Sequence, residues 1–163
     1  MSIIGKKLGA LVCALALACG VLAGCANSAA TTATAEQQAN RAYMSQVNGI
    51  MEELGEGLDT FVDAVSRNDI VNMRTQADNA YKALDELKDL EVPDELADVQ
   101  EKYVKGADKL REALDGYIAL YTEMNSESFD MSTYDARIDA VQSLYDEGVD
   151  LMAEADETAA SKS

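Results

Sequence analysis

Histidine and tryptophan are absent from this 163-residue chain. Without histidine, the commonest general base and the commonest nitrogen ligand for metals are both missing. The Glu-x-x-His pairs of di-iron bundles are therefore excluded, and the sequence contains no EF-hand calcium loop. No motif pairs a nucleophilic side chain with a base that could activate it. We therefore expect no catalytic site, no metal site and no cofactor, and hence a protein that is not an enzyme.

Basic residues are scarce, with 13 Lys and Arg against 30 Asp and Glu in the whole chain. Residues 1–24 hold Lys6 and Lys7 and no acid, so the remaining residues carry 11 basic and 30 acidic side chains, a net charge of −19. Such a surface repels a phosphate backbone and the anionic head groups of lipids. We therefore expect neither nucleic acid nor an anionic lipid surface as a partner.

Long apolar runs are also missing, apart from residues 8–23, which follow the two lysines at the start of the chain. This run has 16 residues, fewer than the roughly 20 that span a bilayer. A basic start, a short apolar run and small residues after it are typical of a secretory signal peptide. The sequence therefore predicts an export signal at residues 1–24 instead of a transmembrane helix.

The end of this signal carries Leu22, Ala23, Gly24 and Cys25 in series. The series resembles the lipobox of bacterial lipoproteins, with an aliphatic residue, two small residues and a cysteine. The resemblance implies a diacylglycerol on the Cys25 thiol, including palmitate-type chains, and cleavage between Gly24 and Cys25. Two acyl chains give stable anchoring where one does not. The expected location is the extracytoplasmic face of the cell membrane, or the outer membrane of a Gram-negative cell.

Four segments are predicted: the signal peptide 1–24, a lipidated cysteine and flexible tether 25–35, a helical domain 36–157 and a disordered tail 158–163. The tether residues are small and uncharged. Apolar residues at steps of three and four predict helices over Glu36–Ser66, Ile70–Leu90, Pro93–Asn125 and a fourth centred on Ile138–Ala155. Short turns between four helices favour an all-α, antiparallel up-down four-helix bundle.

Local signals refine these helices. Asp69, together with Ser66 and Asn68, can cap the second helix, and Ser132 with Asp135 resembles a capping box for the fourth. A bend or a close helix contact is expected near Gly55. On the third helix, ion pairs are predicted between Glu101 and Lys105 and between Asp98 and Lys102.

One stretch of the helical part contains Leu87, Val92, Pro93, Leu96, Tyr103, Gly106, Ala107, Leu110, Leu114 and Tyr117. This stretch resembles small helical-bundle lipoproteins of unknown function from Gram-positive bacteria. The resemblance brings no functional residues with it.

Two surfaces are candidates for binding. The first is an acidic face on the fourth helix, which could dock a basic surface of an envelope or membrane protein: Asp135, Asp139, Asp146, Glu147, Asp150 and Glu154. The second is a groove between helices walled by Tyr117, Tyr121 and Met124. The acidic face could instead be a solvated surface without a partner. The tyrosines could instead lie at the boundary of the bundle with their hydroxyl groups in solvent.

The function predicted from these features is a membrane-anchored binding or interaction module. The alternative is a carboxylate-based cation-binding or sensor domain. Its candidate residues surround the turn between the second and third helices and could equally form a solvated acidic turn: Asp85, Glu86, Asp89, Glu91, Asp94 and Glu95.

Overall fold

A computed structural model of the chain describes residues 34–124, 126 and 129–162, which form four α-helices and no β-strand. The predicted all-α fold is thereby confirmed. The helices are α1 (Ala35–Ser66), α2 (Ile70–Asp89), α3 (Ala97–Met124) and α4 (Tyr134–Ser161), with short 3-10 turns at Asp94–Leu96 and Met131–Thr133. The predicted signal peptide, its lipobox with Gly24 and Cys25, and the tether as far as residue 33 lie outside the described residues.

Contacts between side chains show that consecutive helices run antiparallel, as the sequence predicts. Residues late in one helix meet residues early in the next, and early residues meet late ones. The contacts are Thr60 with Gln76, Arg74 with Thr122, Lys88 with Asp108, Lys102 with Thr158 and Arg137 with Glu123. Both α1 and α3 therefore begin at the same end of the bundle, where α2 and α4 end.

The core lies along the inward stripe that each helix presents at steps of three and four residues. Burial of these side chains is the main favourable contribution to folding. The largest side chains that are fully buried come from α1, α2, α3 and the turn before α3: Tyr43, Val47, Leu54, Met73, Leu84, Leu87, Leu96, Val99, Tyr103 and Leu110.

Two glycines allow the backbones of α3 and α4 to approach each other closely. A Cβ atom added at Gly106 would lie 2.9 Å from the carbonyl oxygen of Gly148, and one added at Gly148 would lie 3.0 Å from the carbonyl oxygen of Gly106. Only hydrogen atoms on the Cα therefore separate the two backbones here. In contrast, α1 and α4 do not approach each other as closely as consecutive helices do.

The close helix contact expected near Gly55 is found two residues later, whereas a Cβ added at Gly55 itself would have no atom within 4 Å. The close neighbour on α1 is Gly57 instead, where a Cβ would lie 3.6 Å from the backbone nitrogen of Ala80. The helix continues through both glycines as a single element. Inward packing of α1 on both sides of them explains why the helix tolerates their low propensity.

Helix starts are capped by side chains, partly as predicted. Asp69 accepts a hydrogen bond from the backbone N–H of Asn72, which confirms its role at the start of α2. A capping box that the sequence analysis overlooked joins Thr34 and Gln37 at the start of α1. The predicted box at Ser132 is wrong, since Asp130 accepts from the Ser132 backbone and caps the preceding 3-10 turn.

The last helix extends beyond the boundary at residue 157, and residues 158–161, predicted as part of a disordered tail, are helical. Ala159 is buried against the core. Lys162 donates a hydrogen bond to the carbonyl oxygen of Glu95 and forms an ion pair with Asp98. These contacts hold the end of α4 against the start of α3.

On the outside of α3, the predicted ion pair between Glu101 and Lys105 is confirmed, with 2.7 Å between their charged atoms. The predicted pair between Asp98 and Lys102 is wrong. Asp98 pairs with Lys162 instead, and Lys102 lies 3.5 Å from Glu154 on α4. Asp98 and Lys102 thus pair with residues at the end of α4, and these partners cannot be read from the spacing of charges along α3.

Candidate functional site

The six acids of the predicted face on α4 are all exposed, and they divide between two edges of the helix. On the edge next to α3, Glu147 lies 3.1 Å from Lys109 and Glu154 lies 3.5 Å from Lys102. These two carboxylates are thus partly neutralised by lysines within the bundle. The edge beside α3 therefore offers less free negative charge to a partner than the sequence alone suggests.

The other acids of this face keep their charge available. Asp146 accepts a hydrogen bond of 2.8 Å from the Gln142 amide, which is neutral. Asp135, Asp139 and Asp150 form no ion pair with any other residue in the part of the chain that the structure describes. The unneutralised part of the acidic face therefore lies on the outer surface of α4 and on the edge away from α3.

Tyr145 connects this edge to α1. Its side chain is 6% exposed and its pKa is raised to about 12, chiefly by burial and then by the carboxylates of Asp146 and Asp59. Asp59 belongs to α1 and Asp146 to α4, so a carboxylate from each helix lies near the same phenol. Sequence reasoning missed Asp59, because nothing in the spacing along α1 indicates which helix its outer residues face.

The predicted groove residues pack against one another and against α1. Tyr117 is 9% exposed and meets Phe61 edge-on, with 5.7 Å between ring centroids. Tyr121 stacks on Tyr117 at 6.5 Å and donates a hydrogen bond of 2.9 Å to the Asn68 side chain. Met124 is partly buried beside the core. These three residues therefore close one end of the core, and a ligand would have to displace their side chains.

Two polar links inside the bundle were not predicted. The Tyr43 hydroxyl donates to Gln100 at 2.5 Å, and the Gln100 amide donates to the Leu87 carbonyl at 2.9 Å, which joins α1, α3 and α2. The hydroxyl of Tyr103 donates to Asp156 on α4. Burial raises the pKa of Asp156 and outweighs the opposing effect of this hydrogen bond. Both links satisfy polar groups that would otherwise be stranded in the core.

The acidic turn between α2 and α3 is arranged as a surface. Asp85 lies 2.6 Å from Arg111, and the Glu95 carboxylate accepts a hydrogen bond of 3.0 Å from Asn40. Among residues 34–124, 126 and 129–162, no three acidic side chains converge in a group that could hold a metal ion. The candidate cation-binding residues Asp85, Glu86, Asp89, Glu91, Asp94 and Glu95 are therefore not brought together as ligands.

Within the same residues, every helix is too short or too polar to cross a lipid bilayer. Comparison of the chain with models of known protein families found no match. Searches for similar sequences among curated proteins and for similar folds among solved structures found none either.

Proposed function

We propose that this protein is a bacterial lipoprotein, held at the extracytoplasmic face of a membrane by lipid on Cys25, whose helical domain binds an envelope protein without catalysing a reaction. The export signal and the lipobox ending at Gly24 and Cys25 support the anchor. The absence of histidine supports a role without catalysis.

The observation that carries the binding proposal is the free negative charge on α4. Its outer surface exposes Asp135, Asp139 and Asp150 without an ion pair among the described residues, while Lys102 and Lys109 are already engaged at the edge beside α3. A dense, unneutralised charge of one sign accelerates encounter with a surface of the opposite sign. The expected partner is therefore a membrane or envelope protein with a basic surface.

Crosslinking of the lipoprotein in its own envelope, followed by identification of the attached protein, tests this proposal. The purified pair should dissociate as salt rises, because the screening length falls from about 10 Å at 0.1 M to about 3 Å at 1 M. Amide substitution of the α4 acids should weaken the complex: Asp135, Asp139, Asp146, Glu147, Asp150 and Glu154.

A matched control removes six exposed acids from other helices and turns: Glu53, Glu56, Asp78, Glu86, Asp89 and Glu91. This variant has the same net charge as the α4 variant, so it separates a specific face from general attraction. Equal affinity in both variants, or affinity that does not change with salt, would refute the acidic face as the docking surface.

The anchor is tested separately by growing cells with an alkyne-labelled fatty acid. The wild-type protein should incorporate the label and lose residues 1–24, whereas Cys25→Ser should remain unlabelled and uncut. A Cys25→Ser protein that carries the label as strongly as wild type would exclude this cysteine as the lipid attachment site.

A further inference from the structure

The seam between α1 and α4 is the least tightly closed contact around the bundle. Consecutive helices approach each other closely, whereas α1 and α4 do not. On α1, Gly57 and Thr60 contact α2, so the row that contains Met44, Met51 and Val62 lies on the flank away from α2. This flank borders the seam.

The seam is apolar at its base. Met44, Met51 and Val62 on the α1 flank are partly buried against the core, and so is Val149 on α4, one turn after Tyr145. Within the α1 row, a side chain at Gly55 would enter open space, since nothing lies within 4 Å of its Cβ position. The base therefore consists of side chains that the bundle covers only in part, and two of them are flexible methionines that can adapt to an occupant.

The rims of the seam carry negative charge. Asp59 lies one turn after Gly55 on α1, and Asp146 lies one turn before Val149 on α4, so both carboxylates border the seam. Both also act on the Tyr145 side chain. Asp59 is exposed and forms no ion pair within the described residues, and the Gln142 amide that contacts Asp146 leaves its charge intact.

An apolar base between acidic rims fits an occupant that is both amphipathic and basic. A second copy of this chain would bring its own net negative charge, and anionic lipid heads would be repelled. We infer that the seam between α1 and α4 binds an amphipathic helix of the partner protein, with a Lys or Arg of that helix between Asp59 and Asp146. This inference rests on the proposed function, since it specifies the partner that the anchored domain binds.

The length of the seam and the chemistry of basic side chains support this occupant. From Met44 to Val62 the α1 row covers 18 residues, or about 27 Å at 1.5 Å per residue, which corresponds to a partner helix of five turns. Lys and Arg can lay their methylene stems along the apolar base while their charged ends reach the carboxylates. Helix-in-groove binding of this kind uses apolar anchors at steps of three and four residues.

The test uses the lipidated protein in phosphatidylcholine nanodiscs, with empty nanodiscs as the blank, and a synthetic 18-residue helix with a leucine stripe and lysine flanks. A second peptide with glutamate in place of lysine is the matched ligand. Methyl NMR on the methionines locates the peptide: Met44 and Met51 should shift on binding, and Met73, which is buried on α2, should not. The glutamate peptide should bind at least tenfold more weakly.

The double variant Asp59→Asn with Asp146→Asn should lower affinity for the lysine peptide about tenfold. Its control, Glu53→Gln with Glu86→Gln, removes the same charge from exposed sites elsewhere and should change affinity less than threefold. Equal losses in the two variants, absence of binding by the lysine peptide, or shifts at Met73 without shifts at Met44 and Met51, would overturn the assignment of the seam. The envelope crosslinking experiment would still decide independently whether the α4 face binds a partner.

Discussion

The glycine crossing of α3 and α4 gives the sharpest stability prediction. In Gly106→Ala the new Cβ would lie 2.9 Å from the Gly148 carbonyl oxygen and 2.9 Å from Cγ of Met152. The methionine side chain can rotate away, but the backbone oxygen can move only if the two helices separate. Overpacking of this kind lowers the free energy of unfolding by about 3 kcal/mol at the upper end of its usual range. Replacing a helical glycine by alanine raises that free energy by about 1 kcal/mol through helix propensity. The expected net loss is therefore about 2 kcal/mol.

Urea unfolding monitored by circular dichroism measures this loss, and a thermal scan should show a fall in Tm of roughly 8 °C for a domain of this size. Gly49→Ala is the matched control, because it lies in a helix with no atom within 4 Å of its added Cβ. It should raise the free energy of unfolding by about 0.5–1 kcal/mol through helix propensity alone. The double variant Gly106→Ala with Gly148→Ala should lose less stability than the sum of the two single variants, because one separation of α3 from α4 relieves both clashes.

A Gly106→Ala protein as stable as wild type, with Gly49→Ala behaving as expected, would refute the reasoning. It would mean that α3 and α4 can separate at this point without losing packing elsewhere.

Three further outcomes are expected. The pKa of Asp156 is raised above its usual value of 3.8 in the folded protein. The contribution of this carboxyl group to stability is therefore fully present below pH 3.8 and is lost as the pH rises through the pKa of the folded state. Asp156→Asn, which can still accept the hydrogen bond from Tyr103, should therefore be more stable than wild type at neutral pH, and urea unfolding should show this advantage vanish in acid. Gln100→Leu should cost about 1–3 kcal/mol because it strands the Tyr43 hydroxyl and the Leu87 carbonyl, and Tyr43→Phe in the same background should recover part of that loss in urea unfolding. In calorimetry, calcium or magnesium should raise Tm no more than sodium chloride of equal ionic strength does. A clearly larger rise would favour the cation-binding alternative.

Most of the fold follows from hydrophobic periodicity, which is a property of each helix by itself. The inward positions of α3, such as Val99, Tyr103 and Leu110, can be read from their spacing, and all three are buried. The end of α4 could not be predicted this way, because Ala159 is too small to mark an apolar stripe, and the contacts of Lys162 with Glu95 and Asp98 join residues far apart in the sequence.

The candidate site was less predictable than the fold, because it depends on which helices become neighbours. The acidic composition of α4 is visible in the sequence, but its division into an edge paired with Lys102 and Lys109 and a free edge appears only after α3 packs against it. The proximity of Asp59 to Tyr145 likewise depends on the arrangement of α1 and α4. One signal was available and overlooked: Thr34 followed three residues later by Gln37 is a capping-box pattern, and it marks the start of α1.

The contacts of Asn40 and Lys162 with Glu95 place the first turns of α1 and the last turn of α4 at the same end of the bundle. A fluorescent protein fused to the end of α4 would therefore lie at the same end of the domain as Thr34, which is the end that faces the membrane in the proposed lipoprotein. The opposite end, where the chain passes from α1 to α2 and from α3 to α4, offers a better place for a reporter. A small epitope inserted between Met124 and Met131 would project from the end of the bundle opposite Thr34.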